Sequence, residues 1–527
     1  MNKPLALAVF SAILLSLSFL NLNLEFLAWF GIVPLLFALE GKNKPQARLP
    51  GGQAFLISYV CGFLFFVASM YWLIHVTAIG WIGLSLYQAL YFGFFGLVFY
   101  FIRTRNYLVI SSAWVFLEYI RSNLFGGIGW NLLGYSQYKN LPIIQIADFT
   151  GVYGISFLIM LMNIAIYGTI KMAVKCYNLD SAFKIKGKSF KEDIKTNPVV
   201  LTLAVLVLFI SVLVYGHKSL SGNNAQYSIP NTQYKSLAKV SIIQGNIPQK
   251  LKWDEKYTRY IMDTYEKLTI QAAKDKPLLI IWPETSVPGF LNYERELLRW
   301  LKRLITKTGA NVLVGAPMVR EENLDEDYNS AVLFSKRAGF LGQYDKLHLV
   351  LLGEFIPFEK YLPFLRKISP LSGNFVPGKE YTVFNLPSAD FSVLICFEDI
   401  FPGLVRQFVK KGAQFMVNMT NDAWFGNSCA AYQHAANSVF RAVENRRSFV
   451  RSANTGLSCF IDKQGRIYEK ISADSRDLFI EGVKSAWVSV ESGKILTFYT
   501  KYGDVFVLCC IIILSISAVR KISLTIR

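Results

Sequence analysis

Phe391-Ser-Val-Leu-Ile-Cys396-Phe-Glu398-Asp399 is an almost unbroken apolar run that stops on a thiol followed by two carboxylates. A short β-rich run of this kind reads as a buried strand, and its last residue presents a side chain where the strand leaves the sheet. Working outward, the same pattern recurs at Val240–Ile243, Leu278–Trp282, Val312–Val314, Ala331–Phe334 and Phe415–Asn418. Helical patterns over 255–273 and 293–307 lie between these runs. Alternation of buried strands with helices predicts α/β layers around one or more sheets.

Two other runs also stop on reactive side chains. Leu278-Leu-Ile-Ile-Trp282 leads into Pro283-Glu284-Thr285, and Lys346 follows a β-like run in Gly342-Gln-Tyr-Asp-Lys346-Leu-His348. Taken alone, a cysteine at a strand end is more often a core thiol, and a lone Glu or Lys is more often a surface charge. Together the three have a chemical logic. A thiol with an ordinary pKa of about 8.5 needs a base, which a carboxylate in a dry pocket supplies. The tetrahedral intermediate at an acyl carbon carries an oxyanion, which a fixed ammonium and a backbone N–H stabilise. Glu284 is the expected base, Lys346 the expected ammonium and Cys396 the nucleophile.

The rest of the chain excludes an ordinary soluble enzyme. Of 527 residues, 53% are hydrophobic and 17% charged, and the mean hydropathy is +0.34. Apolar runs at about 4–21, 26–40, 54–76, 78–102, 107–121, 151–172, 198–216 and 503–519 have the length scale of a bilayer crossing. Eight transmembrane helices are therefore expected, the second and fifth being short enough to be tilted or re-entrant. The first run, behind Lys3, also has the form of a signal peptide, but no small-x-small cleavage site precedes Asn21.

The formal net charge of +19 does not point to nucleic acid, because many basic residues sit in short loops between apolar runs. Lys42, Lys44 and Arg48, Arg103 and Arg105, the lysines of 173–197, and Arg520, Lys521 and Arg527 fall in every second loop. That bias marks the cytoplasmic side and sends the region between the last two spans to the opposite face. The expected organisation is a bundle of about seven spans over 1–216, a linker over 217–237, an extracytoplasmic catalytic domain over 238–490, and a last span with a tail over 491–527. Glu118 and Arg121 are three apart on one helical face, as a cavity site or as a satisfied structural pair. Seven cysteines show no C-x-x-C pair or His partner at ligand spacing, so neither a metal nor a disulfide framework is expected; no cofactor motif appears.

Trp282-Pro-Glu-Thr285, Gly342-Gln-Tyr-Asp-Lys346 and Cys396-Phe-Glu398, in this order, resemble the Glu-Lys-Cys arrangement of the nitrilase superfamily. With Gln244-Gly-Asn-Ile-Pro-Gln249, Trp253, Gly353-Glu-Phe-Ile-Pro357 and Asn421-Asp-Ala-Trp-Phe-Gly426, the whole chain resembles the apolipoprotein N-acyltransferase family, the membrane-embedded branch. The resemblance implies an αββα sandwich beside an eight-helix bundle, in the inner membrane with its catalytic domain on the periplasmic side. It implies transfer of an acyl chain from a phospholipid, phosphatidylethanolamine by preference, through a cysteine thioester. The acceptor is the α-amine of an S-diacylglyceryl cysteine at the N-terminus of a lipoprotein. Glu354 and Glu398 match family carboxylates needed for activity. Physically, Glu354 would hold Lys346 by an ion pair and Glu398 would orient the turn at Cys396 through backbone N–H groups. Trp253 matches a family tryptophan that meets the acyl chain or acts as a gate. Phe397 stands where some members have tyrosine, which leaves only its backbone N–H for the oxyanion.

Other residues read more plainly. His348 and His434 are not required by this chemistry, and a structural role is expected of His434. Arg441, Arg446, Arg447 and Arg451 would meet phosphates or core carboxylates, with a solvated or structural role the more usual one for such a run, and Cys429 and Cys459 read as structural. The apolar stretch 350–376 is a membrane-touching lid or ordinary core. A membrane-anchored amidase with water as acceptor is the nearest rival, separated by acyl transfer to a peptide amine. A transporter is the rival from another class; it would carry more charge inside the membrane and would survive loss of Cys396.

Overall fold

A computed structural model describes residues 3–40, 49–102, 106–179, 198–221, 236–320, 323–356, 361 and 375–526. The basic loops at 41–48, 103–105 and 180–197, and most of the apolar stretch 350–376, lie outside the described residues. The chain divides into two compact units, one of residues 1–71, 80–222 and 504–527 and the other of residues 72–79 and 223–503.

The first unit is helical. Among the described residues four helices, Gly51–Ser69, Ala78–Phe101, Val152–Val174 and Pro198–Ser221, are long and apolar enough to cross a membrane. The second apolar run is not one continuous helix. There the chain forms a 3₁₀ turn, Glu25–Trp29, and a short helix, Val33–Ala38, rather than one continuous segment. Pro34 near the start of that helix has no N–H to extend a helix backward, so the two pieces stay separate. The helix of the first run, Lys3–Leu17, and the fifth, Tyr107–Asn123, are also short. Small residues let neighbouring helices approach closely: a Cβ on Gly96 would stand 2.3 Å from the carbonyl oxygen of Ala54.

Glu118 and Arg121 are both buried in this unit. Glu118 Oε1 accepts from Trp114 Nε1 at 3.0 Å and from the Leu133 N–H at 2.7 Å. Arg121 donates to Gln88 Oε1 at 3.1 Å and to the Trp130 carbonyl at 2.8 Å. They line a small cleft together with Phe19, Phe66, Phe92 and Trp114.

The second unit is the expected layered α/β domain. Its strands are β1 (Ser236–Gln244), β2 (Leu279–Ile281), β3 (Asn311–Arg320), β4 (Asn323–Phe334), β5 (Phe340–Asp345), β6 (Phe384–Leu386), β7 (Ala389–Ile395), β8 (Phe415–Thr420), β9 (Ser448–Ala453), β10 (Cys459–Ile461), β11 (Ile467–Tyr468) and β12 (Gly482–Val490). One six-stranded sheet runs β12-β1-β2-β3-β4-β5 and the other runs β11-β10-β9-β8-β7-β6. Each has a parallel centre, β1-β2-β3 and β7-β8-β9, flanked by antiparallel strands. Parallel strands are covered on both faces, so they need continuous apolar runs. Leu279–Ile281 and Phe415–Thr420 meet that need, with every residue buried.

Helices Thr258–Ala273 and Arg295–Thr308 cover the outer face of the first sheet, where Tyr265 stacks on Trp282 at 4.7 Å. Helices Pro402–Lys410 and Ala430–Asn445 cover the second. The sheets face each other and are stitched by Ser452 Oγ, which donates to the carbonyls of Ile243 at 3.0 Å and Ile281 at 3.2 Å. The result is an αββα sandwich in which β2, β5 and β7 end just before Glu284, Lys346 and Cys396.

Candidate active site

Three strand exits build the site. After β2 the Trp282 N–H still pairs with the Leu313 carbonyl at 2.9 Å, and the chain then turns sharply at Thr285, whose φ is +43°. A left-handed β-branched residue is a strained one, held only where its surroundings over-determine it. Here the N–H groups of Ser286 and Val287 both donate to the Gly315 carbonyl, at 2.8 and 3.1 Å. Gly315 has no alternative at this place, since a Cβ there would stand 2.3 Å from the Pro283 carbonyl oxygen. Gly315→Ala should therefore displace the Glu284 turn and lower kcat by about 100-fold, the cost of an ångström-scale misplacement. Steady-state turnover on protein with an unchanged circular dichroism spectrum checks this.

The Glu284 carboxylate is buried and fixed. Its Oε1 accepts from Asn329 Nδ2 at 2.8 Å and lies 3.8 Å from Lys346 Nζ. Lys346 leaves β5 with its N–H on the Asn329 carbonyl at 2.9 Å, and its Nζ donates to Glu354 Oε1 at 2.8 Å. Asn329 Nδ2 also reaches Glu354 Oε1 at 3.0 Å, so one amide spans the two carboxylates that flank the ammonium. Glu354 in turn accepts the Val350 N–H at 2.8 Å. Burial alone would lower the Lys346 pKa, but Glu354 and Glu284 outweigh it and raise it, so the ammonium is a permanent charge.

Cys396 sits at the exit of β7 with φ at +54°, an elbow that lifts its side chain off the strand. Its carbonyl is tied down by Asn418 Nδ2 at 2.9 Å. Burial, reinforced by the charge of Glu284, pushes the thiol well above its ordinary range, and Lys346 pulls the other way. The group is thus a protonated thiol at neutral pH, under the electrostatic influence of both Glu284 and Lys346. Glu398 clamps the elbow. Its Oε2 accepts the Ile395 N–H at 2.8 Å, and its Oε1 accepts the N–H groups of Leu347 at 2.8 Å and His348 at 3.0 Å. One carboxylate therefore registers the Cys396 turn against the Lys346 loop. Burial raises Glu398 to about 7, with the Ile395 N–H and Lys346 opposing.

Five of the seven sequence-derived positions, Glu284, Lys346, Cys396, Glu354 and Glu398, thus fall in one cluster. Phe397 is partly buried and packs edge-on against Phe401 at 5.2 Å. Trp253 stands on the surface, 46% exposed. Its neighbour Lys252, which no sequence argument marked, is the residue that enters: Nζ donates to the Glu284 carbonyl and to Thr285 Oγ1, both at 3.0 Å. Asn329 also had no sequence signal, because an asparagine in a strand carries no mark of the two carboxylates it will join.

Beneath the elbow lies a buried ionic group. His434 Nδ1 is 2.8 Å from Asp422 Oδ1, and its Nε2 lies 3.0 Å from Asp399 Oδ1 and 3.2 Å from the Cys396 carbonyl. Arg451 pairs with Asp399 at 2.9 Å. The arginine thus meets core carboxylates, and His434 is buried in the same network. Burial would lower His434, but Asp399 and Asp422 prevail and raise it from 6.5 to about 9. Its folded-state pKa exceeds the unfolded one, so the associated stability is complete below pH 6.5 and disappears as pH rises through about 9. In thermal melts across this range, the gap between wild type and His434→Gln should be widest at low pH and narrow toward pH 9. Among the described residues no group of three or more His, Cys, Asp or Glu side chains is arranged to hold a metal ion.

Comparison with known proteins adds two family matches. Residues 11–165 match the family described as apolipoprotein N-acyltransferase N-terminal domain, and residues 239–489 match the carbon-nitrogen hydrolase family. The chain is 36% identical to a protein of Geobacter metallireducens named apolipoprotein N-acyltransferase, over 97% of this chain and 94% of that one. It is 30% identical to a protein of the same name from Chlorobaculum tepidum, over 99% of this chain and 98% of that one.

Proposed function

Because the chain belongs to the apolipoprotein N-acyltransferase family, we propose that it N-acylates lipoproteins by passing a fatty acyl group through a thioester on Cys396. The observation that carries this reading is a left-handed cysteine elbow tied through Glu398 to the loop that follows Lys346, a lysine locked between two carboxylates. A phospholipid ester is the acyl donor, with phosphatidylethanolamine as the expected headgroup. The Cys396 sulfur attacks the ester carbonyl as its proton passes to Glu284. Lys346 and the Phe397 N–H receive the negative charge that develops on the carbonyl oxygen. Collapse breaks the ester C–O bond, and Glu284 returns the proton to the departing lysophospholipid.

In the second half, the α-amine of an S-diacylglyceryl cysteine attacks the thioester. Its proton goes to Glu284, the C–S bond breaks and the thiol is restored. Asn329 and Glu354 hold the base and the ammonium in register, and Glu398 keeps the elbow aligned with both.

The apolar helices fit this chemistry, since both substrates are lipids and each methylene drawn into water costs about 0.8 kcal/mol. An inner-membrane enzyme whose catalytic unit faces the periplasm accounts for the alternation of basic loops along the sequence. One site serving two successive acyl partners implies ping-pong kinetics. Initial rates measured against both substrates should give parallel double-reciprocal lines, whereas an intersecting set would contradict a covalent intermediate.

A further inference from the structure

Lys252 is buried in the catalytic unit, and the role assigned to Cys396, Glu284 and Lys346 does not use it. It lies between two short turns, Gln249–Leu251 and Glu255–Tyr257. This segment is braced from behind: Gln249 Oε1 accepts from Asn421 Nδ2 at 2.7 Å, and the Ile247 N–H donates to Asn454 Oδ1 at 2.9 Å. The backbone that carries Lys252 is therefore fixed before its side chain reaches the site. Two of its three N–H groups are committed to the turn after β2, one to the Glu284 carbonyl and one to the Thr285 hydroxyl.

Thr285 is the strained residue of that turn, at φ +43°. The direction of the Glu284 carboxylate follows from this conformation, because Glu284 is the preceding residue. A bond to Thr285 Oγ1 and another to the Glu284 carbonyl clamp both sides of the peptide that must stay twisted. The ammonium also interacts electrostatically with the Glu284 carboxylate and with the ionised form of Cys396.

We propose that Lys252 is a positioning residue of the transfer reaction, whose ammonium locks the left-handed turn carrying Glu284 and supplies a second positive charge that favours the Cys396 thiolate. Burial lowers Lys252 to about 8, against the opposing charges of Glu284 and Cys396, so it remains mostly protonated at neutral pH. Lys346 is engaged by Glu354 at 2.8 Å and Glu284 at 3.8 Å, and Lys252 adds to the positive charge that Lys346 contributes. The inference rests on Cys396 being the nucleophile, and two separate readouts keep its failure distinct from failure of that assignment.

The first readout needs no lipid: the rate of iodoacetamide alkylation at the peptide containing Cys396, followed by mass spectrometry at pH 7.5 in full-length detergent-solubilised protein. Lys252→Met should slow it by about 10-fold, because loss of a nearby cation disfavours the thiolate. The second is single-turnover acylation by phospholipid, which should slow by about 30-fold while the phospholipid KM changes by less than about 3-fold. Lys252→Arg should recover part of both rates, which a merely space-filling role would not predict. Thr285→Val keeps the side-chain shape and removes only the hydroxyl acceptor. It should give an intermediate loss of acylation, and it serves as the test should Lys252→Met fail to fold. Unchanged alkylation and acylation in folded Lys252→Met, or in Thr285→Val if that variant must stand in, would overturn the proposal while leaving Cys396 as nucleophile. Absence of acylation in the wild type would instead refute the nucleophile assignment itself.

Discussion

Cys396→Ala should leave a folded protein with no measurable transfer of acyl groups to a diacylated lipopeptide. Removing the nucleophile of a covalent mechanism costs on the order of 10⁶ in turnover, which places the variant at the background of most assays. The fold should survive, because the elbow is held by the backbone. The Cys396 carbonyl keeps its bond from Asn418, and Glu398 keeps the Ile395 N–H. The left-handed φ of +54° is already borne by a residue with a Cβ, so alanine adds no new strain. Measured together, an unchanged melting transition and an absent product separate chemical loss from structural collapse. A transporter or a non-covalent transferase would retain its activity in the same variant.

Glu284→Gln should slow thioester formation by about 10² to 10⁴-fold, the range set by loss of a positioned general base. Glutamine keeps the length of the side chain and an oxygen for the Asn329 amide, while Lys346 retains its closer partner Glu354. The expected consequence for the thiol has the opposite sign. The Glu284 charge helps to hold Cys396 well above its ordinary pKa, and Lys346 acts against it. Removing that charge therefore makes the thiol more acidic, so alkylation by iodoacetamide should reach half its maximal rate at a lower pH than in wild type. Acylation falling while alkylation quickens identifies a base. Both falling together would mean that the carboxylate acts only through the shape of the site.

The layered domain was legible because its central strands are parallel and buried on both faces, which forces apolar runs such as Leu279–Ile281 and Phe391–Ile395. Reactive residues stand out where such runs stop, and that is how Glu284, Lys346 and Cys396 were found. The partners that hold them were not visible in the same way. Asn329 lies inside a strand, and Lys252 sits in a lysine-rich segment beside a more conspicuous tryptophan. The ionic group of Asp399, Asp422, His434 and Arg451 joins four distant stretches of chain, and only the fold brings them within about 3 to 4 Å. In the helical unit, hydropathy located the apolar runs but not their continuity. The second run has the composition of a span, yet it breaks between Trp29 and Val33.

The most direct test is to incubate the full-length protein with phospholipid alone, digest it and weigh the peptide containing Cys396. The account predicts a fatty-acyl mass on that peptide, released as N-acylated product when a diacylated lipopeptide is added. An unmodified Cys396 peptide under conditions that support turnover, or an acyl group on another residue that the lipopeptide discharges, would contradict it.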